Sequence, residues 1–589
     1  MEKIWKIYKE DPRKGPLSQK LKIDPLIAQI LINRGLETEK EIVEFLDIDK
    51  FQLRDPFLLP DMEKGIERVI HAIKNREKIL IYGDYDVDGI TSVSVLILAL
   101  KRLGAVLAYH IPNRFNEGYG LNKDILIKAY KKGVKLIITV DCGITSFNEV
   151  ELAQELGIDI IITDHHEQGE KLPKAISVID PKRRDSIYGF RELAGVGVVY
   201  KFIQALYEYL HRDDDIEEFL DLVSLGTIAD IVPYVDENRY FIKKGLRILN
   251  KLERPAIRAL ISVSNLLGTC IDEEKVSFSV APRINAAGRV SSASPAVKMF
   301  LLEEYSEVLR YAKLINTLNF ERREIENAIF EDALSRVEKE GLDKNNIIIL
   351  SNAGWSIGVI GIVASRLVRL YQRPVILFSV NGNIAQGSGR SIPGISIFEL
   401  LSGVKDILLS FGGHEQAVGL KLKSTDLVRF RDLMEERFAY LYPKKNIKRI
   451  LQIDAEISYK DLNDNFIRQL ELLPPFGIGN HNPVFLLSNT YLKSFSFSRN
   501  GMKNLKIVFE VNDREWRGMG YDFGFFEDKI ISIAQKVDIV FKIKSNFDLN
   551  SPFVFIEDIR VKDDIYPLFL EKSLEDNISI GGENAQKGT

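Results

Sequence analysis

Hydrophobic and polar positions follow three different rhythms along this chain. Residues 1–60 read as a helical lead-in, in which "DPLIAQILINRG" has helical spacing and stops at Gly35. From about Asp61 short apolar runs, "KILIYG", "KLIITVD", "IDIIITD" and "AISVID", are separated by helical stretches such as "NEVELAQELG". Strands alternating with helices predict a parallel sheet, so 61–295 is expected to be an α/β domain. The tract 296–338, with "LRYAKLINTLNFERREIENAIFEDALSRVEKE", reads as one long, charged connecting helix. A second α/β pattern runs from "NNIIILSNAGWSIGVIGIVASRL" to "FGGHEQAVGL" over 339–440. Short alternating strands between turn residues over 449–562 predict a small all-β barrel, and 563–589 has the composition of a disordered tail.

Composition narrows the class. At 589 residues the chain suits three to five domains of roughly 100–200 residues each. With 45% hydrophobic and 28% charged residues it reads as a soluble globular protein, and no apolar run is long enough for a membrane span. "MEKIWKIYKEDPRKG" lacks the apolar segment of a signal peptide, so a cytoplasmic protein is expected. Cys142 and Cys270 are its only cysteines, which excludes a disulfide framework or a thiolate zinc site. A net charge of −4 announces no polyanion partner, although a local groove can be basic on an acidic protein.

The chemistry starts where the first strand stops. "ILIYGDYDVDGITS" places Asp84, Asp86 and Asp88 within five residues, and carboxylates this close repel unless something neutralises them. A solvated turn is the bland alternative. "VDCG" then ends a strand in Asp141, "TDHH" ends the next in Asp164, His165 and His166, and "GTIADIVP" adds Asp230. Strand carboxyl ends of a parallel sheet share one edge, so these groups are expected to converge on a binuclear metal site. Carboxylate and imidazole donors suit Mn²⁺ or Mg²⁺. The segment is not a Walker loop, and "GVGVV" at Gly195 resembles a dinucleotide loop only superficially.

"DYDVDG", "VDCG", "TDHH" and "GTIADIVP", in this order, resemble the four motifs of the DHH phosphoesterase superfamily. That resemblance implies that Asp86 holds one of two ions and Asp88 the other, with Asp141 bridging the two and His165 and Asp230 completing the ligand set of the second ion. Asp84 joins the metal-ligand set, and with His166 lies beside the scissile phosphate. Many relatives carry a histidine four residues before the Asp86/Asp88 pair, where this chain has Tyr82.

Glycine-bearing loops carrying cations and hydroxyls suggest a phosphate track: Arg114 in "RFNEGYG", Arg283, Asn285 and Arg289 in "PRINAAGR", Ser388, Arg390 and Ser391 in "GSGRSIPG", and His414 in "FGGHEQAVGL". Each alone reads more readily as an ordinary surface turn. Together with "LNFERREIE", "GWSIGVIGIVASRL" and "PFGIGNHNPVF", they resemble the RecJ-type single-strand DNA exonucleases over about residues 50–560. The resemblance implies two-metal hydrolysis of single-stranded DNA from the 5′ end, 5′→3′, to 5′-mononucleotides, in repair and recombination. Arg114, Ser388 and Arg390 would grip the terminal phosphate, and His414 a phosphate near the scissile bond. Relatives usually read Trp-His where this chain has Trp355-Ser356.

The same resemblance makes the barrel OB-like and the chain a monomer. Its partner would be single-stranded DNA, with a single-strand DNA-binding protein and a helicase as candidate suppliers and no membrane involved. In the barrel, "YLKSFSFSRNGMKNLK" interleaves Tyr491, Phe495 and Phe497 with Lys493, Arg499, Lys503 and Lys506, which fits either base stacking or a strand's core face. Arg322 and Arg323 fit a DNA path or a solvated helical face. Two other functions stay open: a small-substrate phosphodiesterase acting on oligoribonucleotides or cyclic dinucleotides, and a non-catalytic DNA-binding relative.

Overall fold

The computed structural model describes residues 3–118, 120–443, 450–498, 503–512, 514–521, 523, 535–544 and 553–565; Arg499 and most of the C-terminal tail lie outside them. The chain divides into two compact units, a larger one of 53–232 with 236–446 and a smaller one of 1–52, 233–235 and 447–589.

The larger unit holds a parallel five-stranded sheet ordered Val106–His110, Lys78–Tyr82, Val134–Val140, Asp159–Thr163 and Ser177–Ile179. Its middle strands are nearly continuous apolar runs because helices cover both faces. The Val87–Arg102 helix is apolar or small almost all round, and every residue except Leu98, Lys101 and Arg102 is buried. Helices Gly195–Tyr209, Leu220–Ala229 and Ala281–Val290 follow.

The charged tract is broken after the short helix Ser294–Leu301, and the long helix runs from Tyr305 to Glu340, about 54 Å at 1.5 Å per residue. Gly341 ends it with φ 66°, a left-handed C-cap that glycine adopts without strain. Beyond it lies a second five-stranded sheet, in which Ile348–Asn352 and Val375–Asn381 are parallel and Ile384–Arg390, Ala417–Lys423 and Leu408–Gly413 add antiparallel. The helix Ile360–Tyr371 follows its first strand.

In the smaller unit, strands Val484–Phe497, Leu505–Val511, Arg514–Gly520, Phe553–Ile565 and Gln535–Ile543 pair in that order, and the last pairs back on the first to close a barrel. The N-terminal segment, including helix Pro25–Asn33, packs onto this barrel. Ile27, Ile30, Leu31 and Ile42 share a core with Phe485, Leu487 and Phe541, and Arg34 pairs with buried Asp454 at 2.6 Å. Periodicity gives that helix its apolar face but cannot name a partner more than 400 residues downstream. No helix among the described residues is long and apolar enough to cross a membrane.

Candidate active site

Asp84 and Asp86 leave the Lys78–Tyr82 strand through a turn with no room for side chains. A Cβ on Gly83 would lie 2.3 Å from Val93, and one on Gly89 2.5 Å from the Asp84 carbonyl oxygen. Asp86 caps the Val87–Arg102 helix by accepting from Gly89 N at 3.1 Å. Asp88, fully buried in the first turn, accepts from Gly195 N at 2.7 Å and Val196 N at 2.8 Å, first-turn donors of a second helix that have no partner within that helix. This explains the "GVGVV" run: a Cβ on Gly195 would stand 2.9 Å from Asp141 Oδ1.

Asp141 sits past the Val134–Val140 strand at φ 61°, a left-handed conformation rare outside glycine and asparagine. After the Asp159–Thr163 strand, buried Asp164 organises both histidines. It accepts from Ile144 N at 2.9 Å, His165 N at 2.8 Å, His166 N at 3.2 Å and His166 Nδ1 at 2.7 Å. His165 Nε2 then lies 3.1 Å from Asp141, 3.6 Å from Asp230 and 3.9 Å from Asp88.

Ligand atoms of Asp84, Asp86 and Asp141 lie within 4.8 Å of one another, as do those of Asp88, His165 and Asp230, and of Asp141, His165 and His166. The structure thus gathers every expected ligand, with Asp141 shared between groups. Asp84 Oδ1, Asp230 Oδ2 and His165 Nε2 are buried with no hydrogen-bond partner, an arrangement a shared cation fits.

Burial and the Asp86 carboxylate hold Asp84 well above the ordinary carboxylate range; burial and Asp88 do the same to Asp141 and Asp230. Burial and Asp86 push Asp88 up to about 7, while burial and His166 bring His165 down to about 3. The pair beside them is balanced internally. Burial opposes charge on Asp164 and His166, but their hydrogen bond prevails, lowering Asp164 to about 2 and raising His166 to about 9.

The arginines form a second cluster. Arg114 lies over the Tyr85 ring at 4.2 Å. Arg289 donates to Gly358 O at 3.3 Å, and a Cβ on Gly358 would meet the Arg289 carbonyl oxygen at 2.2 Å. Arg390 donates to Ser388 Oγ at 2.9 Å beside Gly361, where a Cβ would stand 3.0 Å from both side chains. Burial, then Arg114 and Arg322, bring Arg289 down to about 10, and burial with Arg114 lowers Arg390. Three cations facing one another at the start of the Ile360–Tyr371 helix make an anion pocket. The Arg289–Asp86 and Arg114–Asp84 attractions place it beside the acids.

Models of the DHH family N-terminal domain, the DHHA1 domain and the RecJ OB domain match residues 78–227, 344–439 and 453–548. The chain is 36% identical to the single-stranded-DNA-specific exonuclease RecJ of Bacillus subtilis over 98% of its own length and 73% of the relative's. The Escherichia coli RecJ is 33% identical, covering 83% of this chain and 87% of that one. The chain belongs to the RecJ family. A crystal structure of Thermus thermophilus RecJ in complex with Mn²⁺ matches with TM-score 0.81 and 26% identity, covering 95% of this chain and 80% of that one.

Not every residue named from sequence sits in this RecJ-type site as a ligand-facing group. Asn285 accepts from Val87 N at 3.2 Å and so braces the aspartate turn. Arg283 turns to Asn316 at 2.9 Å, the Ser391 hydroxyl donates to Ile395 O at 2.7 Å, and His414 is exposed at a hairpin tip. The Tyr82 hydroxyl donates to Gly120 O at 2.9 Å from full burial, and Ser356 O accepts from Val359 N at 3.0 Å in the turn before a helix. Arg322, one of two arginines that also fitted a solvated face, is buried against Glu326 and Asn319, whereas Arg323 is exposed.

Sequence reasoning named Asp164 without giving it a role, and passed over the Gly195 and Val196 N–H groups and Asp180. The last is buried at the end of Ser177–Ile179 with Oδ2 unpartnered, and burial and Asp164 push it up to about 8. "AISVID" carried that signal, an acid where a strand of the same sheet stops.

Proposed function

We propose that this chain is a metal-dependent exonuclease that degrades single-stranded DNA from the 5′ end, 5′→3′, to 5′-mononucleotides. The observation that carries the reading is the gathered acid cluster, in which Asp84 Oδ1, Asp230 Oδ2 and His165 Nε2 are buried without a hydrogen-bond partner, beside a pocket of three arginines. Asp84, Asp86 and Asp141 would hold one Mn²⁺ or Mg²⁺, and Asp88, His165 and Asp230 the other, with Asp141 common to both. When bound, such ions supply a hydroxide at neutral pH and neutralise charge on the phosphoryl group.

The remaining roles fall to the chain itself. Arg114, Arg390 and Ser388 grip a terminal 5′ phosphate, which sets the cut a short, fixed distance from the strand end. His166, held by Asp164 and charged below about 9, presents a cation to the scissile phosphate. Asp164 fixes the imidazole orientation as a positioning residue.

The test is digestion of 5′-labelled single-stranded and duplex oligonucleotides with Mn²⁺, Mg²⁺ or chelator. A labelled mononucleotide released first from the single strand, and only with metal, supports the reading; internal fragments or metal-independent cleavage contradict it. The same reading has a cytoplasmic monomer working in repair and recombination on strands supplied by a helicase or a single-strand DNA-binding protein. Light scattering and co-purification test those two points.

A further inference from the structure

Tyr82 ends the Lys78–Tyr82 strand fully buried, and a buried phenol needs a partner for its hydroxyl. It finds one not among the acids but 38 residues further on, donating to Gly120 O at 2.9 Å. The adjacent strand ends in His110, which stands opposite Tyr82 in the sheet register with ring centroids 5.2 Å apart. His110 Nε2 donates to Glu117 Oε2 at 2.7 Å, and Gly83 N donates to His110 O at 3.1 Å.

Both contacts land on one loop. Gly120 and Glu117 lie between the Val106–His110 strand and the helix Lys123–Lys131, in the segment that carries Arg114. Its tip folds on Asn113, whose Oδ1 accepts from Phe115 N at 2.9 Å and whose carbonyl accepts from Glu117 N at 2.8 Å. A Cβ on Gly358 would meet the Phe115 ring at 3.3 Å, so the loop also abuts the turn that leads into the Ile360–Tyr371 helix. Arg114 leaves this loop over the Tyr85 ring, with its Nε buried and without a hydrogen-bond partner.

We propose that Tyr82, His110 and Glu117 are positioning residues that hold the Arg114 loop where its guanidinium meets a terminal phosphate, and that they thereby set how strongly a phosphorylated end is preferred over a hydroxyl end. The inference rests on the grip proposed for Arg114 and adds the two struts behind it. A guanidinium on an unbraced loop has to be ordered at each binding event, and contacts made in advance remove part of that entropy loss. Both struts rise from the ends of adjacent paired strands, so the loop inherits the rigidity of the sheet. The position at which this chain departs from many relatives then serves the phosphate loop, and leaves the acids to hold their ions without it.

The experiment uses the full chain with chelator and compares, by anisotropy, affinities for 3′-labelled single strands ending in a 5′-phosphate and in a 5′-hydroxyl. Their ratio is the phosphate preference. Tyr82→Phe, which keeps the ring and loses the hydroxyl, should lower that ratio about fivefold. Glu117→Ala should do the same, and its partly exposed site keeps the test available should the first variant impair folding. Glu117→Gln, which still offers the imidazole an acceptor, should recover most of the loss. On an Arg114→Ala background neither Tyr82→Phe nor Glu117→Ala should change the ratio further. A ratio left at the parent's value by both variants overturns the inference alone. So does an equal fall in affinity for the two ends, which marks a purely structural role, or a full extra loss on top of Arg114→Ala. A parent that binds both ends equally overturns the grip assigned to Arg114, and this inference with it.

Discussion

Two of the places where the larger unit buries charge are resolved in opposite ways. Around Glu237 the books balance: Lys201 Nζ stands 3.4 Å from its carboxylate, Tyr188 Oη donates to it at 2.5 Å, and Arg54 N donates at 2.9 Å. Arg54 also pairs with Asp236. At the carboxyl edge of the sheet, Asp84, Asp88, Asp141 and Asp230 crowd together; of the two histidines beside them, burial keeps His165 neutral, and His166, held charged, is engaged by Asp164. Buried charge is tolerated when paired and costs several kcal/mol when it is not. The first cluster is therefore structural, and the second needs a cation from outside the chain.

Opposite responses to substitution would sharpen that contrast. Asp141→Asn should reduce hydrolysis by about a thousandfold or more, since the shared ligand is lost, while leaving the metal-free melting temperature unchanged or raised because a repelled carboxylate is gone. Glu237→Gln should leave hydrolysis chemistry intact but destabilise the protein by about 3 kcal/mol or more, read by denaturant unfolding. Equal destabilisation by both substitutions would break the distinction.

pH provides a second test. Asp88 has its folded value raised to about 7 from an ordinary 3.8, so its contribution to stability is fully present below 3.8 and is lost as pH rises through about 7. Thermal melts of chelated protein should therefore fall over this window, and Mn²⁺ should flatten the trend. A metal-free protein whose stability rises across the same window would contradict the unpaired-acid account.

Smaller effects separate pocket from scaffold. Arg114→Ala should weaken binding of a 5′-phosphorylated strand by about tenfold while changing a 5′-hydroxyl strand little, in line with loss of one charge-assisted contact. Ser391→Ala should leave strand affinity alone and cost about 1 kcal/mol of stability, because its hydroxyl is bonded to Ile395 O.

The candidate site was legible because most of its acids and imidazoles end strands. Asp84, Asp141 and His165 each follow an apolar run, and parallel topology brings such ends to one edge whatever the loops between them do. What stayed illegible depends on contacts between distant elements. Nothing local to "GVGVV" says that its N–H groups meet an aspartate 107 residues away. Ser388 and Ser391 share one motif, yet one hydroxyl meets Arg390 and the other a backbone carbonyl, a difference set by the turn that follows. Phe495 and Phe555 have the same chemistry, yet Phe495 packs against the barrel core while Phe555 meets Tyr521 and Phe553, a difference read only once register is known.

The most direct measurement is calorimetric titration of metal-free protein with Mn²⁺, for the parent and for Asp141→Asn. Two ions bound per parent chain, with proton release and with binding weakened at both sites in Asp141→Asn, is the predicted result. No binding, or binding that Asp141→Asn leaves unaltered, would contradict it.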